Sequence, residues 1–144
     1  MKRRTLDQLG TYLSNLVGQY AFDLDVAEDV VYFVCRKFDL PIISLEVAEW
    51  YGNTYGQYRA PHHRGSDNRY KIILSEEKGL TYKTLIHELG HHLREIRYQR
   101  RELGFFERHE SFDGEIYILR NKSHAIDFHR CVNDIVTYLL GEKI

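Results

Sequence analysis

The chain has 144 residues, 43% of them hydrophobic and 28% charged, with a formal net charge of −1. A chain of that kind fits one globular domain that buries about two-thirds of its unfolded surface and needs no staples. The near-neutral balance excludes a global electrostatic case for nucleic acid as sole partner or for an anionic membrane. The local basic runs "KRR" (2–4) and "RYQRR" (97–101) read as solvated surface. In chain order, "TLDQLGTYLSNLVGQY" (5–20) spaces Leu6, Leu9, Leu13, Leu16 and Val17 as one helical face. "DLDVAEDVVYFVCRKF" (23–38) predicts a second helix, with Asp23 or Asp25 as N-cap and Arg36 and Lys37 suiting the negative end of its dipole. "DLP" (39–41) ends it, since the residue before proline avoids helical backbone.

The next stretch is β in character. "IISLEVAEWYG" (42–52) reads as a strand, "GNT" as a turn, and "YGQYRA" (55–60) as a short strand paired with the first in a hairpin. "RYKIILS" (69–75) is a third strand. "LTYKTLIHELGHHLREIRYQRR" (80–101) returns to helix, with Leu85, Leu89, His92 and Ile96 on one stripe and Ile86 and Leu93 beside it. Gly90 costs that helix about 1 kcal/mol relative to alanine, which marks a position where a backbone or a ligand approaches closely. Residues 102–122 have no clear assignment. "SHAIDFHRCVNDIVTYLLGEK" (123–143) predicts a last helix over 123–140, with Ser123 as N-cap and Gly141 as the stop. Helices segregated around a run of strands argue one α+β domain: a helical part (1–40), a three-stranded sheet (42–75), a motif helix and a C-terminal helix.

Cys35 and Cys131 lie far apart and form no Cys-x-x-Cys pair, which excludes a cysteine zinc knuckle and predicts two buried free thiols in a reducing compartment. The N-terminus has no apolar signal core, and no run approaches the roughly 18 apolar residues of a membrane span. A cytoplasmic, non-membrane protein is the expectation.

The chemistry concentrates in "HELGH" (87–91). On a helix, positions i and i+4 project side by side, so His87 and His91 can point two imidazoles at one metal ion. Glu88 lies about 100° round the helix, beside the ion rather than on it. That suits a general base for a zinc-bound water, which zinc brings to a pKa of about 7. His92 points into the apolar stripe and is read as packing. The third ligand must lie downstream, among His109, Glu110, Glu115, His124, Asp127 and His129. Rigid elements favour the last helix. There His124 and His129 flank the stripe of Ala125, Phe128, Val132, Ile135 and Leu139, about 60° to one side and about 80° to the other. Asp127 falls further round, toward solvent, or orients a ligand histidine from outside.

With these residues in view, the chain resembles the zincin metallopeptidases, most of all the small ImmA/IrrE-like group and next the SprT-like proteases. "GQY" (56–58) and "KIILS" (71–75) match the strands before the motif helix, and "HAIDF" (124–128) matches the run that carries the third ligand. The resemblance implies a minimal zincin-like domain with zinc held by His87, His91 and His124. His129 is the reserve, because that group has glutamate where this chain has His124. It also implies an oxyanion-stabilising tyrosine or histidine, for which Tyr138 is one candidate. The function expected is zinc-dependent endopeptidase hydrolysis of a protein or peptide substrate, with Glu88 as base. The alternative is a zincin-fold binding or regulatory module that holds zinc with little or no hydrolysis, because fold alone does not fix function.

Overall fold

The structure, a computed structural model, describes residues 4–13, 22–49, 54–61, 69–100 and 126–141. The first helix, α1 (Leu6–Leu13), starts at a reciprocal cap: Thr5 Oγ1 accepts from the Gln8 amide at 3.2 Å and Gln8 Oε1 accepts from the Thr5 amide at 2.8 Å. Leu9 and Leu13 are fully buried. The predicted continuation to residue 20 lies outside the described residues. α2 (Leu24–Lys37) starts at Asp23, whose carboxylate accepts from the amides of Asp25 and Val26, so Asp23 rather than Asp25 is the cap. Its Asp29 takes the Arg4 guanidinium at 3.2 Å, which ties the start of α1 to α2.

Three strands follow: β1 (Ser44–Ala48), β2 (Gly56–Arg59) and β3 (Lys71–Ser75). The expected hairpin between the first two strands does not form. The order is β1-β3-β2, with β1 parallel and β2 antiparallel to β3. The reason lies in composition. β3 carries the apolar run Ile72–Leu74 and is buried along most of its length, so it takes the middle. β1 and β2 carry polar residues and are only half-buried, which suits the edges.

α3 (Tyr82–Gln99) holds "HELGH" and is capped by Thr81, whose hydroxyl accepts from the Thr84 amide at 3.1 Å. The predicted stripe of Leu85, Ile86, Leu89, His92, Leu93 and Ile96 is buried throughout. α4 (Ile126–Leu140) packs along α3 and ends at Gly141, whose φ of 82° is left-handed backbone that glycine adopts without strain. The proposed cap Ser123 lies outside the described residues. Cys35 and Cys131 are free thiols; Cys131 is buried as expected but Cys35 is only half-buried, and desolvation raises the pKa of both, to about 12 for Cys35 and about 11 for Cys131. Among the described residues no helix is long and apolar enough to cross a membrane. The layout is a small α+β fold, with a mixed three-stranded sheet packed on helices.

Gly90 sets how close α4 comes. A Cβ there would stand 2.6 Å from Val132 Cγ2 and 3.1 Å from Phe128 Cε1, so the close neighbours are two side chains of α4. One turn on, Arg94 Nε donates to Asp127 Oδ2 at 2.9 Å, and the Tyr98 hydroxyl donates to the same oxygen. Asp127 does not face solvent as the helical wheel suggested; it is 1% exposed. A wheel centred on apolar residues misses an inward carboxylate whose charge is matched from the facing helix. Removing one member of such a buried pair costs about 3–5 kcal/mol, because the other charge stays buried.

Gly90→Ala is therefore expected to destabilise the protein. Helix propensity favours alanine by about 1 kcal/mol, but forcing a methyl group onto stiff Val132 and on Phe128 costs about 1–3 kcal/mol. Urea denaturation should give a lower midpoint at unchanged slope. A higher midpoint would mean that α4 gives way freely.

Candidate active site

α3 sets the two proposed ligands on one face. The His87 and His91 rings stand 5.1 Å apart, centre to centre, at 75°, and both are half-buried. Phe128 of α4 lies against both, 4.9 Å from His87 and 4.4 Å from His91. Tyr58 of β2 stacks on the outer side of His91 at 6.5 Å, with the rings 14° from parallel. Two imidazoles on a capped helix, both packed on Phe128 and one also facing Tyr58, are a pair of nitrogen donors, the donor type zinc takes.

Glu88 is 5% exposed. Its carboxylate sits under β2: a Cβ on Gly56 would stand 3.3 Å from Glu88 Oε2 and 3.1 Å from Thr84 Cγ2. Glycine is the residue that lets the edge strand lie this close. Desolvation is the cause of the raised Glu88 pKa, from 4.5 to about 7, since burial penalises the charged form. A carboxyl balanced near neutral pH can take a proton and give it back.

His92 is fully buried and packs as expected, with both nitrogens engaged. Nε2 lies 3.0 Å from the Pro41 carbonyl oxygen and Nδ1 lies 2.8 Å from the Tyr58 hydroxyl. Burial lowers its pKa to about 4, so the ring is neutral at physiological pH and serves structure rather than metal.

The third ligand is less fully described. His124 lies outside the described residues, as do His109, Glu110 and Glu115. His129 is exposed on α4, its ring 5.4 Å from that of Phe128. Among the described residues no three of His, Cys, Asp and Glu are grouped as a metal site requires, so this part of the chain brings together a histidine pair and not a set of three. Asp127 is held by Arg94 and Tyr98, and its other oxygen accepts from the Phe128 amide at 2.9 Å. Tyr138 is no oxyanion group in this arrangement: it packs on Phe38 and under Lys37, ten residues or about 15 Å along α4 from Phe128.

The described part of the basic runs is tied into the fold. Arg4 pairs with Asp29, Arg97 pairs with Asp134 at 2.8 Å, and Arg100 donates to the carbonyls of Phe38 and Asp39. Two further residues of the site are signalled only by pattern and resemblance. Phe128 falls in "HAIDF" and on the apolar stripe of the last helix, and Tyr58 falls in "GQY". Tyr58 is hinted at by alternation, which puts Gly56 and Tyr58 on one face of a strand. Compared with known protein families, with curated proteins and with solved structures, the chain matches none.

The Glu88 shift carries a stability consequence with a definite sign. Between pH 4.5 and about 7 the unfolded carboxyl is ionised while the folded one holds its proton. The folded state therefore loses stability as pH rises through that window, by about 3 kcal/mol at pH 8. In metal-free protein, Glu88→Gln should exceed the wild type in stability by roughly that amount at pH 8 and match it at pH 4. His92 acts in the opposite sense, losing stability as pH falls from 6.5 toward about 4, but it is present in both proteins and cancels in the difference. Chemical denaturation at the two pH values checks this; equal stability of the two proteins at pH 8 would contradict it.

Proposed function

We propose that this chain is a zinc-dependent endopeptidase of the zincin type, acting on a protein or peptide substrate. The observation that carries the reading is the pairing of two adjacent imidazoles, His87 and His91, with a buried neighbouring carboxyl, Glu88. His87 and His91 would hold the metal with a third ligand from His124, or from His129 in its stead. Zinc supplies a Lewis acid that polarises a scissile carbonyl and acidifies water. Glu88 accepts the proton of the attacking water and returns it to the departing amine. A purely structural metal has no use for a carboxyl beside its ligands, which favours hydrolysis over a binding module.

The sheet offers a way to present the substrate. Tyr55 accepts from the Ser75 amide at 2.8 Å, and Gln57 and Arg59 share its parity opposite Ile73 and Lys71. The main-chain groups of Gly56 and Tyr58 therefore turn to the outer side of β2. An extended peptide added along that edge would run beside Glu88 and the histidine pair.

Glu88→Gln should keep zinc and lower the cleavage of fluorescein-labelled casein by about 10²–10⁴-fold, the usual worth of a general base. Cleavage at the wild-type rate would remove Glu88 from that role. His124→Ala should lose zinc and His129→Ala should retain it. The reverse result would assign the third ligand to His129.

A further inference from the structure

The histidine directly after the motif, His92, has no part in the chemistry proposed above, yet both of its ring nitrogens have a partner. A carbonyl oxygen can only accept, so His92 Nε2, 3.0 Å from Pro41 O, bears the ring hydrogen. That leaves Nδ1 as the acceptor for the Tyr58 hydroxyl at 2.8 Å. The ring is further held between two tyrosines, 5.3 Å from Tyr58 and 5.0 Å from Tyr70. Its tautomer and orientation are thereby set from the protein interior.

Tyr58 stands two residues from Gly56 on the same face of β2, and His92 stands four residues from Glu88 on the same face of α3. Two strand residues advance about 6.8 Å and four helix residues about 6 Å. The two steps match, so the strand meets the helix at two consecutive points, Gly56 on Glu88 and Tyr58 on His92. β2 is four residues long and pairs with β3 on one side. A strand that short at a sheet edge frays unless something else holds it.

We infer that His92 is a positioning residue for Glu88. Through Tyr58 it pins the β2 edge to α3, fixing the height at which Gly56 covers the carboxyl and the line along which an extended substrate would enter. The inference rests on the proposed hydrolysis only where it concerns turnover; the pinning of β2 stands apart from it.

The test uses the full-length zinc-loaded chain. Tyr58→Phe removes one hydroxyl and leaves the ring stacks. Ile135→Val, in the core of α4, serves as a control for general loss of stability. Hydrogen exchange is read at the amides of Gln57 and Arg59, which face β3. Tyr58→Phe should speed their exchange at least tenfold relative to Ile135→Val, with zinc content unchanged in both. It should also lower kcat on fluorescein-labelled casein about tenfold, with little change in KM, while Ile135→Val stays at the wild-type rate. Exchange no faster than in Ile135→Val, or an unchanged kcat despite faster exchange, would overturn the inference. If the wild type cleaves no casein, the exchange result alone decides whether His92 and Tyr58 pin the strand, and the missing cleavage counts against the proposed hydrolysis.

Discussion

The approach of α4 across Gly90 sets the aromatic wall against which the histidine pair of the candidate site stands. With hydrogen in place of a methyl group, Val132 and Phe128 reach the α3 surface, and Phe128 then lies against both His87 and His91. The Arg94–Asp127 pair fixes the same two helices one turn away. Asp127 directly precedes Phe128 and also accepts from its amide, so charge pairing, backbone and ring packing act on one point. A shift of α4 by one ångström would move the aromatic wall of the histidine pair.

The opposite wall is set by β2, and here the fold accepts a cost in stability. A buried carboxyl with its pKa near 7 weakens the folded state at neutral pH. Asp127 is the instructive contrast. It is also buried, but Arg94 and Tyr98 supply its partners. One carboxylate is paired with a guanidinium and the other is shifted upward by burial, on two facing helices of one small domain.

Much of this was legible from residues alone. The helix over 80–101 and its buried stripe follow from spacing, and so does the side-by-side placement of His87 and His91, because i and i+4 adjacency is a property of any α-helix. The α+β layering followed from the order of elements. What was not legible depended on long-range partners. The position of β3 between β1 and β2 goes with its burial along most of its length, which a reading of adjacent segments misses. Asp127 looked solvent-facing because the wheel of α4 carries no information about Arg94. Tyr58 and His92 meet across 34 residues of sequence, so neither pointed to the other. "GQY" at 56–58 was noted as a pattern, yet the tight space at Gly56 arises from Thr84 and Glu88 of α3 lying against it.

The central claim is that the His87 and His91 pair is a metal site. Elemental analysis of the purified chain, equilibrated with zinc and then dialysed, tests it most directly. About one zinc per chain in the wild type, lost in both His87→Ala and His91→Ala, is the predicted result. No zinc in the wild type, or full retention in both variants, would contradict it.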